Sequence, residues 1–273
     1  MSKLPPVTFV PTPIGNLGDI TLRSLEALKE CDVIFAEDTR TAKSLLSALD
    51  IKKPVESYHK DNETQASSRI LHTVESGKTV CVISEAGTPC ISDPGNTLTS
   101  VLVRENVKFQ ALPGATAFVP ALMMSGFDIS DFHFHGFLPH KPTERLREAE
   151  SLTVYNTVIA FYESPHRIED TLKTLLKVFP APVFCAREIT KMFESSYFIH
   201  TEEDIEQIVK KGEFVVAVNN RKMKAEETPS DCSDTAKKLI KAGYGSKDVV
   251  NILKALGYKR NDAYSAVQEI IES

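Results

Sequence analysis

The chain has 273 residues, 42% of them hydrophobic and 25% charged, with a formal net charge of −5. Such a length exceeds one comfortable core and predicts two domains plus a small appendage, and ordinary globular proportions exclude a fibre or a disordered chain. The acidic balance argues against nonspecific binding of naked nucleic acid, so any such site has to be a local patch.

From the N-terminus, short β-branched runs alternate with amphipathic stretches. Strands are predicted at Val7–Val10, Val33–Ala36, Thr79–Ile83 and Val107–Ala111. Leu22, Leu25 and Leu28 recur at helical spacing, with Asp19 or Thr21 placed to cap the start. Further helices are predicted over Thr41–Leu49, Glu63–Glu75 and Asn96–Arg104. This alternation implies an α/β domain over 1–125 with a parallel sheet covered on both faces.

A turn-rich link at Ser125–Asp131 opens a second α/β domain, 126–221. Its strands are predicted at Phe132–Gly136, Thr157–Tyr162, Val183–Arg187, Phe193–His200 and Phe214–Asn219, with helices over Glu144–Leu152, Ile168–Val178 and Glu202–Lys211. Several of these strands follow one another closely, which implies a mixed sheet. The remainder, 222–273, reads as a polar linker (Lys222–Asp234) and three short helices capped by Ser233, Ser246 and Asn261, with Gly243, Gly245 and Gly257 as stops. Nine basic against eight acidic residues there give poor support for a phosphate-binding helix-turn-helix, so a small packing element is the expectation.

Cys31, Cys81, Cys90, Cys185 and Cys232 form no C-x-x-C pair, which predicts reduced, mostly buried thiols. No apolar run reaches the ~18–20 residues that span a bilayer, and Met-Ser-Lys-Leu-Pro-Pro lacks a signal-peptide layout; a cytoplasmic protein is expected. His133 and His135 share one strand face without a third ligand nearby, so no metal site is expected.

Chemistry is expected where strands give way to helices. Thr12-Pro13-Ile14-Gly15-Asn16-Leu17-Gly18, Ser84-Glu85-Ala86-Gly87-Thr88-Pro89-Cys90-Ile91-Ser92-Asp93-Pro94-Gly95 and Leu112-Pro113-Gly114-Ala115-Thr116-Ala117 each follow a predicted strand. In an open parallel sheet, ligands bind at these carboxyl ends. Glycines there let the backbone approach a ligand closely.

Together with Ala-Glu-Asp-Thr-Arg at 36–40, Gly-Phe-Leu-Pro-x-Lys at 136–141, Phe-Tyr-Glu-Ser-Pro-His-Arg at 161–167, Ala-Arg-Glu-Ile-Thr-Lys at 186–191 and Lys-Gly-Glu-Phe-Val at 211–215, these loops make the chain resemble the RsmI-type ribosomal RNA methyltransferases. The resemblance runs in order from about residue 5 to 219. It implies the tetrapyrrole-methylase fold, a homodimer, and S-adenosylmethionine in a cleft between two α/β domains. It also implies 2′-O-methylation of a cytidine in the decoding region of small-subunit (16S) ribosomal RNA.

Under that resemblance the cofactor lies against Pro13, Ile14, Gly15, Glu85, Ala86, Gly87, Thr88, Pro89, Ile91, Pro113, Ala115, Thr116, Phe161 and Tyr162. A ribose hydroxyl is a poor nucleophile and needs a base or a nearby cation. Glu37, Asp38, Arg40, Glu163 and Lys191 are the catalytic candidates, with Glu188 as a further one. Capping of the next helix is the competing reading for Asp38 and for the Glu163–Arg167 pair. Lys43, Lys60, Lys141, Arg145, Arg147 and Arg167, with Arg40, are the candidate phosphate contacts, and dispersed surface charge is the alternative.

One departure stands out: Glu85 replaces the family's aspartate, extending that carboxylate by about 1.5 Å. Two other functions remain open from sequence, a tetrapyrrole (precorrin) C-methyltransferase and a non-catalytic RNA-binding assembly factor.

Overall fold

A computed structural model describes residues 4–221, 232–256, 258 and 260–272. The chain divides into two compact units, Met1–Asn220 and Arg221–Ser273.

The larger unit begins with β1 (Val7–Phe9), α1 (Leu22–Glu30), β2 (Val33–Ala36), α2 (Thr39–Ala48), β3 (Val55–Ser57), α3 (Glu63–Glu75), β4 (Val80–Ile83), α4 (Asn96–Arg104), β5 (Phe109–Ala111) and α5 (Phe118–Met124). The five strands form one parallel sheet in the order β3-β2-β4-β1-β5. Strand β4, Val-Cys-Val-Ile, is buried along its whole length, as a central parallel strand covered on both faces must be. Ile34, Cys81 and Ile83 pack against α1 and α2, while Phe35, Val80 and Val82 pack against α3 and α4.

The same unit continues with β6 (Phe132–Phe137), α6 (Pro142–Ser151), β7 (Val158–Glu163), α7 (Ile168–Val178), β8 (Val183–Arg187), β9 (Ser195–Ile199), α8 (Glu202–Ile205) and β10 (Phe214–Asn219). These strands form a mixed sheet, β6-β7-β10-β8-β9, in which only β6 and β7 run parallel. Alternation sends Ile159 and Phe161 of β7, with Val216 and Val218 of β10, toward the core that contains Leu172 and Leu175 of α7. Val158, Ala160, Val215 and Ala217 face the other way, onto Phe118, Ala121 and Leu122 of α5. Ile14 and Ile91, from loops of the first sheet, pack against that same cluster.

The smaller unit holds α9 (Cys232–Lys241), α10 (Ser246–Ala255) and α11 (Arg260–Glu272). They share their own core of Ala236, Val249, Val250, Leu253, Ala263, Ala266 and Val267.

Several expectations shift. Thr21, not Asp19, caps α1, accepting from the Ser24 amide at 3.0 Å. Strand β3 went unpredicted because three half-buried residues at a sheet edge show no alternation. Helix α5 was hidden by Pro120, which its first turn tolerates because the amide there has no intrahelical partner. The Glu202–Lys211 helix ends after one turn, at Ile205. Gly245 rather than Ser246 caps α10, Ser233 already lies inside α9, and Asn261 lies inside α11. Residues 222–231 of the predicted linker, and Gly257, lie outside the described residues.

Leu172 is fully buried on α7. Leu172→Ala should lower unfolding free energy by about 2–5 kcal/mol in a urea titration. Leu146→Ala, on the exposed side of α6, should change it by about 0.5 kcal/mol or less.

Candidate active site

The cleft is built from loops that the first sheet delivers to one place. After β1, Thr12 exchanges backbone hydrogen bonds with Gly87 at 2.9 and 3.1 Å, tying the first loop to the loop after β4. Thr88 Oγ1 donates to the carbonyl of Ala115 at 2.9 Å, tying that loop to the one after β5. Gly87 sits at φ +80°, where a Cβ would press on Ile14 Cγ2 at 3.1 Å and on the Ala115 carbonyl at 3.2 Å. Glycine is what lets these three loops close on one another.

The long loop after β4 is pinned again at its far end. Glu63 Oε1 accepts from the amides of Gly95 (2.8 Å) and Thr97 (3.2 Å) and from Tyr58 Oη (2.8 Å). Burial alone would raise this carboxyl, but those bonds outweigh it and hold it below the ordinary range. Between the pins, Cys90 and Ser92 take positive φ, +70° and +65°. Non-glycine residues in that region persist where surroundings over-determine them, often at functional sites.

A second wall comes from the mixed sheet. Tyr162 and Phe137 meet edge to face at 5.8 Å and line a cleft of about 700 Å³ together with Ile14, Gly15, Glu85, Asp93, Thr116 and Lys191. Lys191 Nζ pairs with Glu188 Oε1 and Glu213 Oε2, both at 2.8 Å. Partial burial opposes its charge, but the two carboxylates prevail and raise its pKa. Its stem crosses Gly15, where a Cβ would lie 2.4 Å from Lys191 Cγ. Thr190 Oγ1 donates to Asp19 Oδ2, a second tie between the halves of this unit.

Carboxylates cluster around Asp93. Asp93 is pushed up to about 7, first by burial and then by the charges of Glu37 and Glu85, against a lowering bond from Ser84. Burial, then Glu85, also raises Glu37, with His59 acting in the opposite sense.

Of the predicted cofactor contacts, Pro13, Ile14, Gly15, Glu85, Ala86, Gly87, Thr88, Ile91, Thr116 and Tyr162 line the cleft. Ala115 reaches it through the carbonyl that holds Thr88, whereas Pro113 and Pro89 are not among its lining residues. The Phe161 side chain is a correction: it is fully buried on the opposite face of the sheet, because neighbours along a strand point opposite ways.

The catalytic candidates separate. Lys191 lines the cleft, and Glu37 acts electrostatically on Asp93. Asp38 proves to be a helix cap, accepting from the amides of Arg40 (2.7 Å) and Thr41 (3.3 Å), and its ion pair with Arg40 at 3.1 Å stays at the rim. Glu163 borders the cleft, yet its carboxylate is wholly buried and accepts from Ser164 N (2.7 Å) and Thr171 Oγ1 (2.6 Å) beside Arg167 at 3.2 Å. With three groups engaging a carboxylate withdrawn from solvent, Glu163 serves as an anchor of the β7–α7 turn.

Two RNA candidates are corrected as well. Arg167 is turned inward, donating to the carbonyls of Leu138 (2.6 Å) and Pro139 (3.2 Å). Arg145 is 3% exposed and bonds Thr174, the His140 carbonyl and Asp170. Lys43, Lys60 and Arg147 are exposed, and Lys141 is exposed but paired with Glu144 at 2.9 Å.

The sequence reading missed Asp93, Ser92, Thr41, Ile189 and Glu213 as cleft residues. For Asp93 a signal existed: a carboxylate inside the glycine- and proline-rich loop that follows a buried strand. Among the described residues no group of three or more potential ligands is placed to hold a metal ion, and none of the helices is long and apolar enough to cross a membrane. His133 stacks on Tyr155 at 4.4 Å and His135 faces Glu148 at 3.8 Å.

The architecture recurs in solved structures. A cobalt precorrin-4 methyltransferase superposes with a TM-score of 0.58 at 17% identity, covering 79% of this chain and 95% of that one, and so shares the fold. The family model for Tetrapyrrole (Corrin/Porphyrin) Methylases matches residues 6–203, which makes the chain a member of that class of methyltransferases.

Two relatives narrow the class. The Ribosomal RNA small subunit methyltransferase I of Halalkalibacterium halodurans is 36% identical over 267 residues, 94% of this chain and 92% of its own length. The protein of the same name from Thermotoga maritima is 41% identical over 217 residues, 78% of this chain and 97% of its own length. The chain belongs to the ribosomal RNA small subunit methyltransferase I family.

Arg145→Leu tests the corrected role of that residue. The variant should lose about 1–3 kcal/mol of stability in chemical denaturation, since Asp170, Thr174 and the His140 carbonyl lose a partner. Its affinity for ribosomal RNA in a filter-binding titration should stay within about twofold of the parent.

Proposed function

We propose that the protein transfers a methyl group from S-adenosylmethionine to the ribose 2′-hydroxyl of a cytidine in the decoding region of small-subunit ribosomal RNA, in the cytoplasm and as a homodimer. The observation that carries this reading is the cleft. It has three glycine- and proline-rich loop walls, the carboxylates of Asp93 and Glu85 and an aromatic wall, in a chain whose relatives are named for small-subunit ribosomal RNA methylation.

The residues present fit such a donor. A cleft of about 700 Å³ lies within the usual range for small-molecule sites. The close approach at Gly87 leaves backbone rather than side chains to meet the ligand. The donor, a substrate consumed in the reaction, supplies an electrophilic methyl on a sulfonium. Glu85 supplies an opposite charge at the edge of the cleft, and the apolar Ile14 and Ile91 exclude water without neutralising the sulfonium. Tyr162 and Phe137 offer faces on which an unstacked base can rest.

The RNA backbone is proposed to stay outside and to follow α2. Thr41 of that helix lines the cleft, and Arg40, with its side chain 90% exposed, stands beside it. From Lys43 toward the C-terminal end of the same helix, a groove of about 510 Å³ is lined by Lys43, Lys52 and Lys53 with Asp50. Lys60, Lys141 and Arg147 are retained as outlying contacts. Support for a dimer is the apolar strip Val119, Met123 and Met124 on α5, which lies exposed beside Phe132. Residues 1–125 and 126–221 are proposed as the two domains that cradle the ligands, with 222–273 as linker and three-helix domain.

Incubation of small subunits from cells lacking the protein with methyl-labelled S-adenosylmethionine should give labelled 2′-O-methylcytidine at one decoding-region position. Label on another atom or nucleotide would refute the assignment. In the combined variant Lys43→Glu, Lys52→Glu, Lys53→Glu, RNA affinity should fall by about tenfold or more. The slope of log K against log salt should flatten by about 2–3.

A further inference from the structure

The cleft holds several groups that are candidates for accepting the proton of a reacting hydroxyl, and their surroundings eliminate all but one. Glu163 has its carboxylate wholly buried and committed to Ser164, Thr171 and Arg167. Lys191 is held protonated by Glu188 and Glu213 and has no lone pair to offer. Glu213 has its side chain 77% exposed and is engaged by that lysine. Tyr162 is held in its phenol form by burial, despite opposing bonds from the backbone at Ala117 and Phe118. Glu37 lies outside the cleft lining, and Glu85 stands exposed at its edge.

Asp93 differs on every count. It lines the cleft, is partly withdrawn from water, and has no cation among the groups that act on it. Its loop is fixed on one side by the Thr12–Gly87 bridge and on the other by Glu63 at Gly95 and Thr97, with two positive-φ residues turning the chain between. A carboxylate on such a rigid support keeps its oxygens in place without reorganisation.

We infer that Asp93 is the general base of this enzyme, taking the proton from the acceptor hydroxyl as that oxygen attacks the methyl group. This rests on the reading of the cleft as a site of ribose methylation. The bookkeeping closes on the chain's own residue: the ribose O2′–H bond breaks and its proton passes to Asp93 Oδ. A new O–C bond forms, the C–S bond breaks, and its electron pair stays on sulfur. One negative charge on Asp93 and one positive charge on the donor disappear together, a recombination favoured where water is excluded.

The groups facing Asp93 are Glu37 from the end of β2, Glu85 and Ser84 from the end of β4, Cys90 from its own loop and Tyr162 from β7. Lys191, across the cleft, is committed to Glu188 and Glu213. Two carboxylates and partial burial raise Asp93 to about 7, near the value at which a general base works best at neutral pH. Deprotonated Asp93 is the active form, so single-turnover rate should rise with pH through about 7 and level off above it.

The test is a set of variants assayed on small subunits across pH 5.5–9, with donor affinity measured separately by calorimetry and side-chain carboxyl titration followed by carbon NMR. Asp93→Asn should lose about 100-fold or more in single-turnover rate and lose the rise near pH 7, while donor affinity stays within about threefold. Glu37→Gln should move that rise to lower pH, together with the NMR titration of Asp93, because one repelling charge is gone. Three results would overturn the inference: undiminished turnover in Asp93→Asn, loss of donor binding in place of turnover, or loss of turnover in Glu37→Gln with an unmoved Asp93. If the parent enzyme itself leaves small subunits unlabelled, the proposed function fails first. An active parent with an equally active Asp93→Asn refutes only the base.

Discussion

The carboxylate of Glu63 accepts hydrogen bonds from the amides of Gly95 and Thr97 and from the hydroxyl of Tyr58, and so decides where the loop after β4 turns into α4. That loop supplies the Gly87 approach, the hydroxyl of Thr88 that gathers the loop after β5, and the carboxylate of Asp93. Its conformation includes positive φ at Cys90 and Ser92 and is unfavourable by itself. Glu63 begins α3 on a neighbouring part of the sheet, so the parallel sheet, by fixing both elements, is what makes the loop possible. Fold and site are linked there by one side chain.

Around that loop the charges are sorted. Carboxylates cluster around Asp93, whereas Arg40, Lys43, Lys52 and Lys53 lie along and beyond α2. A chain with a net charge of −5 can on this plan still meet a polyanion. On the proposed reading, phosphates meet the outer cations and a neutral sugar hydroxyl is the part of a nucleotide that enters the cleft. A precorrin methyltransferase at 17% identity shares this fold.

Much of this was legible in the sequence where one local pattern sufficed. Val33–Ala36, Glu63–Glu75, Asn96–Arg104, Ile168–Val178, Val183–Arg187 and Phe214–Asn219 have the bounds that periodicity assigns them. The glycine- and proline-rich loops were recognisable because a strand end followed by a tight turn is a local signal. Partners distant in sequence were not legible. Arg145 and Arg167 read as surface cations, and only the folded chain reveals Asp170 beside the first and the Leu138 and Pro139 carbonyls beneath the second. Phe161 and Tyr162 are adjacent in sequence yet belong to opposite faces, and the resemblance named both. Asp93 was passed over because its distinction comes from Glu37, which the sheet brings near from another strand end.

The environment of Asp93 also bears on how firmly the chain folds. Its carboxyl loses a proton near 3.8 in the unfolded chain and near 7 in the folded one, so between these values the unfolded state binds fewer protons. Stability must then fall, through this one group, as pH rises from about 4 to about 7, and stay reduced above that. The interval that ionises this carboxylate is thus the interval in which it works against the native state. A neutral residue of the same size at this position would carry no such pH-dependent penalty.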